Sequence, residues 1–178
     1  MRNRIGGLYD ATVITFVALP LSAMRALIDG DLPTASAAAG HELSPWLMSE
    51  KWLWEIRAEQ LGSEPADAEW VARAAFADGV LVGHAGFHGA PDEQGRVEVG
   101  YTVDPAYRRR GFARAMLAEL IRRCEADPRV AILRASIGPE NVASLATIAG
   151  FGFEQVGEQW DEQDGLELLY ERVTTSGR

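Results

Sequence analysis

Residues 97–113 read VEVGYTVDPAYRRRGFA, a strand that runs into a tight loop and then into a helix. Pro105 offers no ladder donor and closes the strand. Gly111 lets the backbone take unusual dihedrals and approach a ligand closely. The helix that follows presents unpaired N–H groups at the positive end of its dipole, an arrangement suited to a pyrophosphate. Arg108, Arg109, Arg110 and Arg114 add charge at this place. Taken alone, the Arg-rich run reads first as a solvated helix terminus with a basic surface patch. A nucleic-acid patch is a third reading, but it lacks interleaved aromatics on a basic face.

Outward from this stretch the pattern stays legible. On the N-terminal side, residues 69–77, 80–88 and 96–103 are three strand-like runs. Asp78-Gly79 joins the first two as a hairpin, and the polar segment 90–95 joins the second and third. On the C-terminal side, Leu117, Leu120, Ile121 and Cys124 fall on one helix face within 111–125. Asp127-Pro128 stops that helix. Residues 130–137 form another strand, Asn141 to Gly150 a short helix capped at Asn141 or a neighbour, and residues 153–160 and 166–173 a last pair of strands. Before residue 69, residues 12–18 form a first strand. Pro20 and Gly30 frame a helix, a helical piece lies near 34–39, Ser44-Pro45 turns, and Ser49 to Leu61 is helical through Trp52, Ile56 and Leu61. The order is β-α-α-β-β-β-α-β-α-β-β, an α/β chain with a mixed sheet, read as a single domain over residues 1–178.

The chain has 178 residues, 47% of them hydrophobic, and a formal net charge of −9. That supports a real core, disfavours nucleic acid and weakly favours cationic partners such as amines. Cys124 is the one cysteine, so no internal disulfide or cysteine metal cluster forms. It reads as a small buried hydrophobe in a reducing compartment, and a cytoplasmic protein is expected. Arg2 and Arg4 before the apolar run Ala11 to Ala23 imitate a leader. Asp10 and Pro20 interrupt that reading, and residues 21–28 continue as an amphipathic helix. No run approaches a membrane span.

Residues 108–113 resemble motif A of the GNAT superfamily of N-acetyltransferases, Arg/Gln-x-x-Gly-x-Gly/Ala, through Arg108, Gly111 and Ala113, with Val103-Asp104-Pro105 as lead-in. Asn141, Ser144, Gly152 and Phe153 resemble the family's second motif at the expected distance. The likeness covers residues 69–173 well, and in detail it is similar to the branch with ribosomal-protein N-terminal acetyltransferases. It implies a mostly antiparallel sheet with a splayed parallel central pair and flanking helices. The strands 97–103 and 130–137 would part to admit acetyl-CoA. Tyr101, Thr102 and Val103 would pair with the pantetheine arm. Arg108, Arg109, Arg110, Gly111, Phe112, Ala113 and Arg114 would surround the pyrophosphate. Asn141 and Ser144 would meet the pantetheine or thiol end. No metal is implied.

The implied reaction is direct attack of an amine on the thioester. The acceptor is a small-molecule amine or a protein N-terminus; no nucleic acid or membrane partner is expected, and a homodimer is allowed for. An alkyl ammonium must lose a proton first. Glu98 is the first candidate base, with a solvent-facing carboxylate as the alternative. His84 and His88 share one strand face by period-two alternation and are further candidates to take that proton, with a structural role as the alternative for each. A backbone N–H near Val103 would face the oxyanion. The family's usual acid, a tyrosine seven residues after the asparagine, is Ile148 here, which leaves Ser144 or water, or an unprotonated thiolate. That departure keeps a non-catalytic acyl-CoA-binding module in play. Tyr101 and Tyr170 read as packing residues. Trp46, Trp52, Trp54 and Trp160, with Asp161, Glu162 and Asp164, either line an acceptor pocket or serve packing and a solvated turn.

Overall fold

Asp78 and Gly79 both take positive φ, 50° and 78°, the geometry that lets a two-residue turn follow strand twist. They join β2 (Arg73–Ala77) to β3 (Val80–Phe87). Around this hairpin the computed structural model describes residues 13–175. Expectations resting on Arg2, Arg4, Asp10, Ala11 and Thr12 lie outside the described residues. The chain opens with β1 (Ile14–Ala18), α1 (Leu21–Ile28), α2 (Leu32–Ala39) and α3 (Lys51–Ser63). After β2 and β3 come β4 (Arg96–Val103), α4 (Phe112–Ala126), β5 (Ile132–Ile137), α5 (Val142–Ile148), β6 (Glu154–Asp161) and β7 (Gly165–Val173).

These strands form one mixed sheet in the order β1-β2-β3-β4-β5-β7-β6. Every neighbouring pair is antiparallel except β4 and β5. The mostly antiparallel α/β architecture with one parallel pair agrees with the sequence reading. Two details differ. Three helices stand between β1 and β2, because α2 is a full helix: the Asp31 carboxylate accepts from Thr34 N and Thr34 Oγ1, a strong N-cap. The first strand of the meander begins at Arg73 rather than residue 69. Pro65–Glu69 coils into a 3₁₀ turn, and Asp67 O accepts from both Trp70 N and Val71 N.

One core lies between the sheet and α4. Met116, Leu117, Leu120 and Cys124 of α4 are buried against Val97, Val99 and Leu133, each large side chain contributing about 1.5–3 kcal/mol. The other core lies where α1 to α3 cover the opposite face, around Met24, Leu27, Leu47 and Trp54. Trp54 is fully buried, and its indole N–H donates to Leu47 O. Trp52 and Ile56, which mark the helical spacing of α3 in the sequence, are exposed at 58% and 42%. The helix spends Leu53, Trp54 and Leu61 on the core and leaves the other two for a cavity. No helix among the described residues is long and apolar enough to cross a membrane.

A cluster of charges crosses three strands. Glu171 Oε1 on β7 accepts from Arg96 Nε on β4 at 2.9 Å and from Arg134 Nη2 on β5 at 2.6 Å. All three side chains are largely shielded. Removing the carboxylate leaves two guanidinium groups facing each other. Glu171→Ala should lower stability by about 2–3 kcal/mol, the cost of breaking a buried pair reduced for partial solvent access. Chemical denaturation checks this, and an unchanged midpoint would contradict the clamp.

Burial pushes the Cys124 thiol up to about 12. The thiolate is the reactive form. Native protein at pH 8 should therefore resist iodoacetamide, and protein unfolded in guanidinium should alkylate fully. Mass spectrometry showing native labelling at a free-thiol rate would sink this reading.

Candidate active site

The parallel pair of the sheet is short. β4 meets β5 at Arg96, Val97 and Glu98, opposite Ile132, Leu133 and Arg134. Beyond Glu98, β4 stays with β3, from Phe87 opposite Val99 to Gly83 opposite Val103. β5 stays with β7, from Ala135 opposite Tyr170 to Ile137 opposite Leu168. The two strands therefore part at residue 98. His88 N donates to Glu98 O, and Asp104 N donates to Val82 O. In an antiparallel ladder the bonded edge alternates, so the even positions of β4 bond β3. Val99, Tyr101 and Val103 turn their backbone groups into the opening.

Two cavities meet at this fork. One, of about 580 Å³, runs from Tyr101, Thr102 and Val103 past Arg108, Arg109 and Gly111 to Phe112, Ala113 and Arg114, with α5 as its far wall. The other, of about 370 Å³, lies on the α3 side between Trp52, Ile56, Arg57, His84, His88 and Glu98. The β6–β7 turn closes it with Asp161, Gln163, Asp164 and Glu167. Tyr101, Thr102, Asn141 and Ser144 line both cavities.

The larger cavity is built from backbone. Asp104 Oδ1 accepts from Ala106 N and starts the turn. Arg109 then takes φ 61° and Gly111 φ 85°. Such alternation around left-handed positions points successive N–H groups to one side. Arg109 bears the strain that a side chain costs in this region, about 1–3 kcal/mol. The N–H groups of Phe112, Ala113 and Arg114 open α4 without intrahelical partners. A Cβ on Gly111 would touch no protein atom within 4 Å, so the space above it is open.

The arginines expected to act together are divided by the fold. Arg108 and Arg109 line the cavity, and Arg108 Nε donates to Val103 O at 3.2 Å. Arg110 places its guanidinium over the Tyr107 ring at 5.4 Å and does not line the cavity. The Arg114 guanidinium turns to α5, donating to Thr147 O and Ala149 O at 2.9 Å and lying over Phe151. It caps the last turn of that helix, while Arg114 remains part of the cavity lining. Asn141 caps the start, its Oδ1 accepting from Ser144 N at 3.1 Å.

On the smaller cavity, Glu98 Oε1 lies 3.5 Å from His88 Nδ1. Desolvation holds the His88 imidazole below its ordinary 6.5, with the Arg57 guanidinium adding to the effect and Glu98 opposing it. At neutral pH the ring is uncharged and can accept a proton. Gly100 keeps the floor open between Glu98 and Thr102; a Cβ there would stand 3.1 Å from His88 Nε2. His84 is buried, stacked on Trp46 at 5.5 Å and edge-on to Trp54, with Nε2 3.5 Å from Glu50. It forms wall, while His88 reaches the mouth. Of the tryptophans, Trp52 lines the cavity, and Trp160 is 77% exposed outside it. Ile148 is buried and lines neither cavity.

The sequence reading took Tyr101 for a packing residue. Its ring does pack against the α4 core, but its hydroxyl is buried at the junction of the cavities and makes no hydrogen bond of regular geometry. Ser144 and Thr147 of α5 flank it, and burial pushes the phenol above its usual range. The signal for this was present in the alternation of β4, but only the placement of α5 shows where the hydroxyl ends.

Comparison with known proteins places this architecture. A model of the acetyltransferase (GNAT) domain matches residues 23–154. A protein of Bacillus subtilis (strain 168), described as the uncharacterized N-acetyltransferase YjdG, is 32% identical over 73 residues. That match spans 41% of this chain and 44% of that protein, less than half its length. Among solved structures, the ribosomal L7/L12 alpha-N-protein acetyltransferase RimL in complex with coenzyme A superposes with a TM-score of 0.64, at 14% identity, covering 93% of this chain and 96% of that one. AAC(6')-Ib in complex with paromomycin and acetyl-CoA gives 0.62, also at 14% identity, covering 92% and 95%. At such identity the structures share the fold. The family model spans most of the sequence, and the chain belongs to the acetyltransferase (GNAT) family.

Proposed function

We propose that this protein transfers an acetyl group from acetyl-CoA to a primary amine by direct attack, with both substrates bound at once. The observation that carries this reading is the meeting of two cavities at the free edge of β4. One is lined by backbone donors and arginine, the other by carboxylates and a neutral imidazole. AAC(6')-Ib, of the same fold, is described with acetyl-CoA and an aminoglycoside together, which supports acetyl-CoA as donor and an amine as acceptor here.

The residues fit such a donor. The N–H groups of Phe112, Ala113 and Arg114, with the turn at Arg109 and Gly111, would hold a pyrophosphate. The free edge at Val99, Tyr101 and Val103 would take an extended amide-bearing arm as an added strand. When bound, acetyl-CoA supplies an activated thioester carbonyl. A β4 N–H directed into the fork would stabilise charge on its oxygen.

The acceptor would enter on the α3 side. Glu98, Asp161, Asp164 and Glu167 outnumber Arg57 and His88 in that lining, which favours a cationic amine. Trp52, Leu53 and Ile56 offer it an apolar wall. Glu98 and His88 together would take the proton that an ammonium must lose. Ser144 stands where the cavities join, close to the reacting groups, and His84 supports the wall behind them.

Gly111→Val is expected to abolish acetyl-CoA binding. A β-branched side chain would occupy the space above the turn and would strain a residue at φ 85°. Titration calorimetry on folded variant decides this, and wild-type affinity would refute the assigned donor site.

Glu98→Gln should lower kcat by about 10²-fold, the usual scale of acid–base assistance, with little change in acetyl-CoA affinity. The pH dependence has a definite sign. His88 is held below 6.5, so the base is competent at neutral pH and kcat/KM falls as acid protonates it. Because Glu98 opposes that depression, its removal should move the acid limb to still lower pH. A limb that stays in place in Glu98→Gln would contradict the pairing.

A further inference from the structure

The acid step has no residue at the place where the resemblance puts one, since Ile148 is buried in the core beside α4. Another hydroxyl stands nearby. Tyr101 comes from β4, its backbone faces the fork, and its ring packs on the α4 side of the sheet. Its Oη is shut from solvent and in hydrogen-bond geometry with no protein group, with the Ser144 and Thr147 side chains close beside it, and it lies among residues that line both cavities. Thr147 Oγ1, beside it, spends its proton on Ala143 O. A buried phenol with an unused donor costs free energy unless something pairs with it. With Ser144 and Thr147 beside it but outside hydrogen-bond geometry, what fills the fork can supply the pairing group.

We propose that Tyr101 is a catalytic residue of this transferase, its Oη donating a hydrogen bond to the sulfur of the thioester as that sulfur leaves. This rests on the acetyl-transfer reading above. The amine nitrogen forms its bond to the carbonyl carbon and loses one proton to Glu98 and His88. The carbon–sulfur bond breaks and its electron pair goes to sulfur. Charge growing on sulfur strengthens the hydrogen bond from Tyr101, so the interaction favours the transition state over the ground state. A thiol titrates near 8.5, and burial holds the phenol above its ordinary value of 10. The proton therefore stays on Tyr101, and the departing thiolate takes its proton from solvent. The products are amide and free thiol, and the phenol is unchanged.

Tyr101→Phe keeps the ring and removes only the donor. The expected result is a kcat lower by about 30-fold, less than the roughly 10²–10³ of a lost oxyanion donor because sulfur is a weaker acceptor than oxygen. Acetyl-CoA affinity should stay within about twofold and thermal stability should not fall. A wild-type kcat overturns the proposal, and so does an equal loss of kcat and acetyl-CoA affinity, which would mark a positioning role. A second measurement needs no acceptor. With 3-fluorotyrosine at position 101, the fluorine resonance should shift with coenzyme A and much less with desulfo-coenzyme A. Equal shifts with both ligands overturn the contact with sulfur. Absence of turnover on every amine would count against the reaction class, and the fluorine comparison would still decide Tyr101.

Discussion

Everything functional in this molecule depends on one interruption: β4 pairs with β5 for three residues and then leaves it. Parallel strands are held by evenly spaced backbone hydrogen bonds, and giving these up exposes polar groups that need other partners. The fold accepts this because both strands keep their outer neighbours, β3 for β4 and β7 for β5. The carboxylate of Glu171 pins the closed end by holding Arg96 and Arg134 together. Below that clamp the sheet is continuous. Above it the sheet offers a free edge on which a ligand can act as the missing strand.

Two surfaces of opposite character then meet at that opening. The side along the start of α4 is made positive by geometry more than by side chains. Arg114 and Arg110 are occupied by α5 and Tyr107, while the turn through Arg109 and Gly111 turns N–H groups inward. The α3 side is acidic, gathering Glu98 from the sheet with Asp161, Asp164 and Glu167 from the β6–β7 turn. In the proposed reaction such a division would let a negatively charged donor and a positively charged acceptor approach from different directions with little competition for the same site.

Much of the architecture was legible because it is local. Asp78-Gly79 encodes its own turn, Pro105 ends β4, and the α4 face announces itself through Leu117, Leu120 and Cys124. The meeting of Arg108, Gly111 and Ala113 with Asn141 and Ser144 across one cavity also matches the spacing of the two motifs. Less legible were features set by packing between distant segments. Trp52 and Ile56 carry the helical period of a buried stripe, yet they face a cavity, because Leu53 and Trp54 fill the core first. The strand start at Arg73 was obscured because residues 69–72 are apolar enough for a strand, while Asp67 O holds them in a turn.

The sequence by itself determined the order of elements, the strand–turn–helix at residues 97–113 and the candidate carboxylate and histidines beside it. Periodicity, proline and glycine act through the backbone within a few residues, so they can be read along the chain. Only the tertiary structure decided that β4 and β5 part after Glu98, that His88 rather than His84 stands beside Glu98, that Arg114 belongs to α5, and that the Tyr101 hydroxyl is stranded where two cavities join. Those facts depend on which segments, dozens of residues apart, compete for the same hydrogen bonds and the same buried space. No local pattern carries that information, because desolvation and pairing are properties of the assembled neighbourhood.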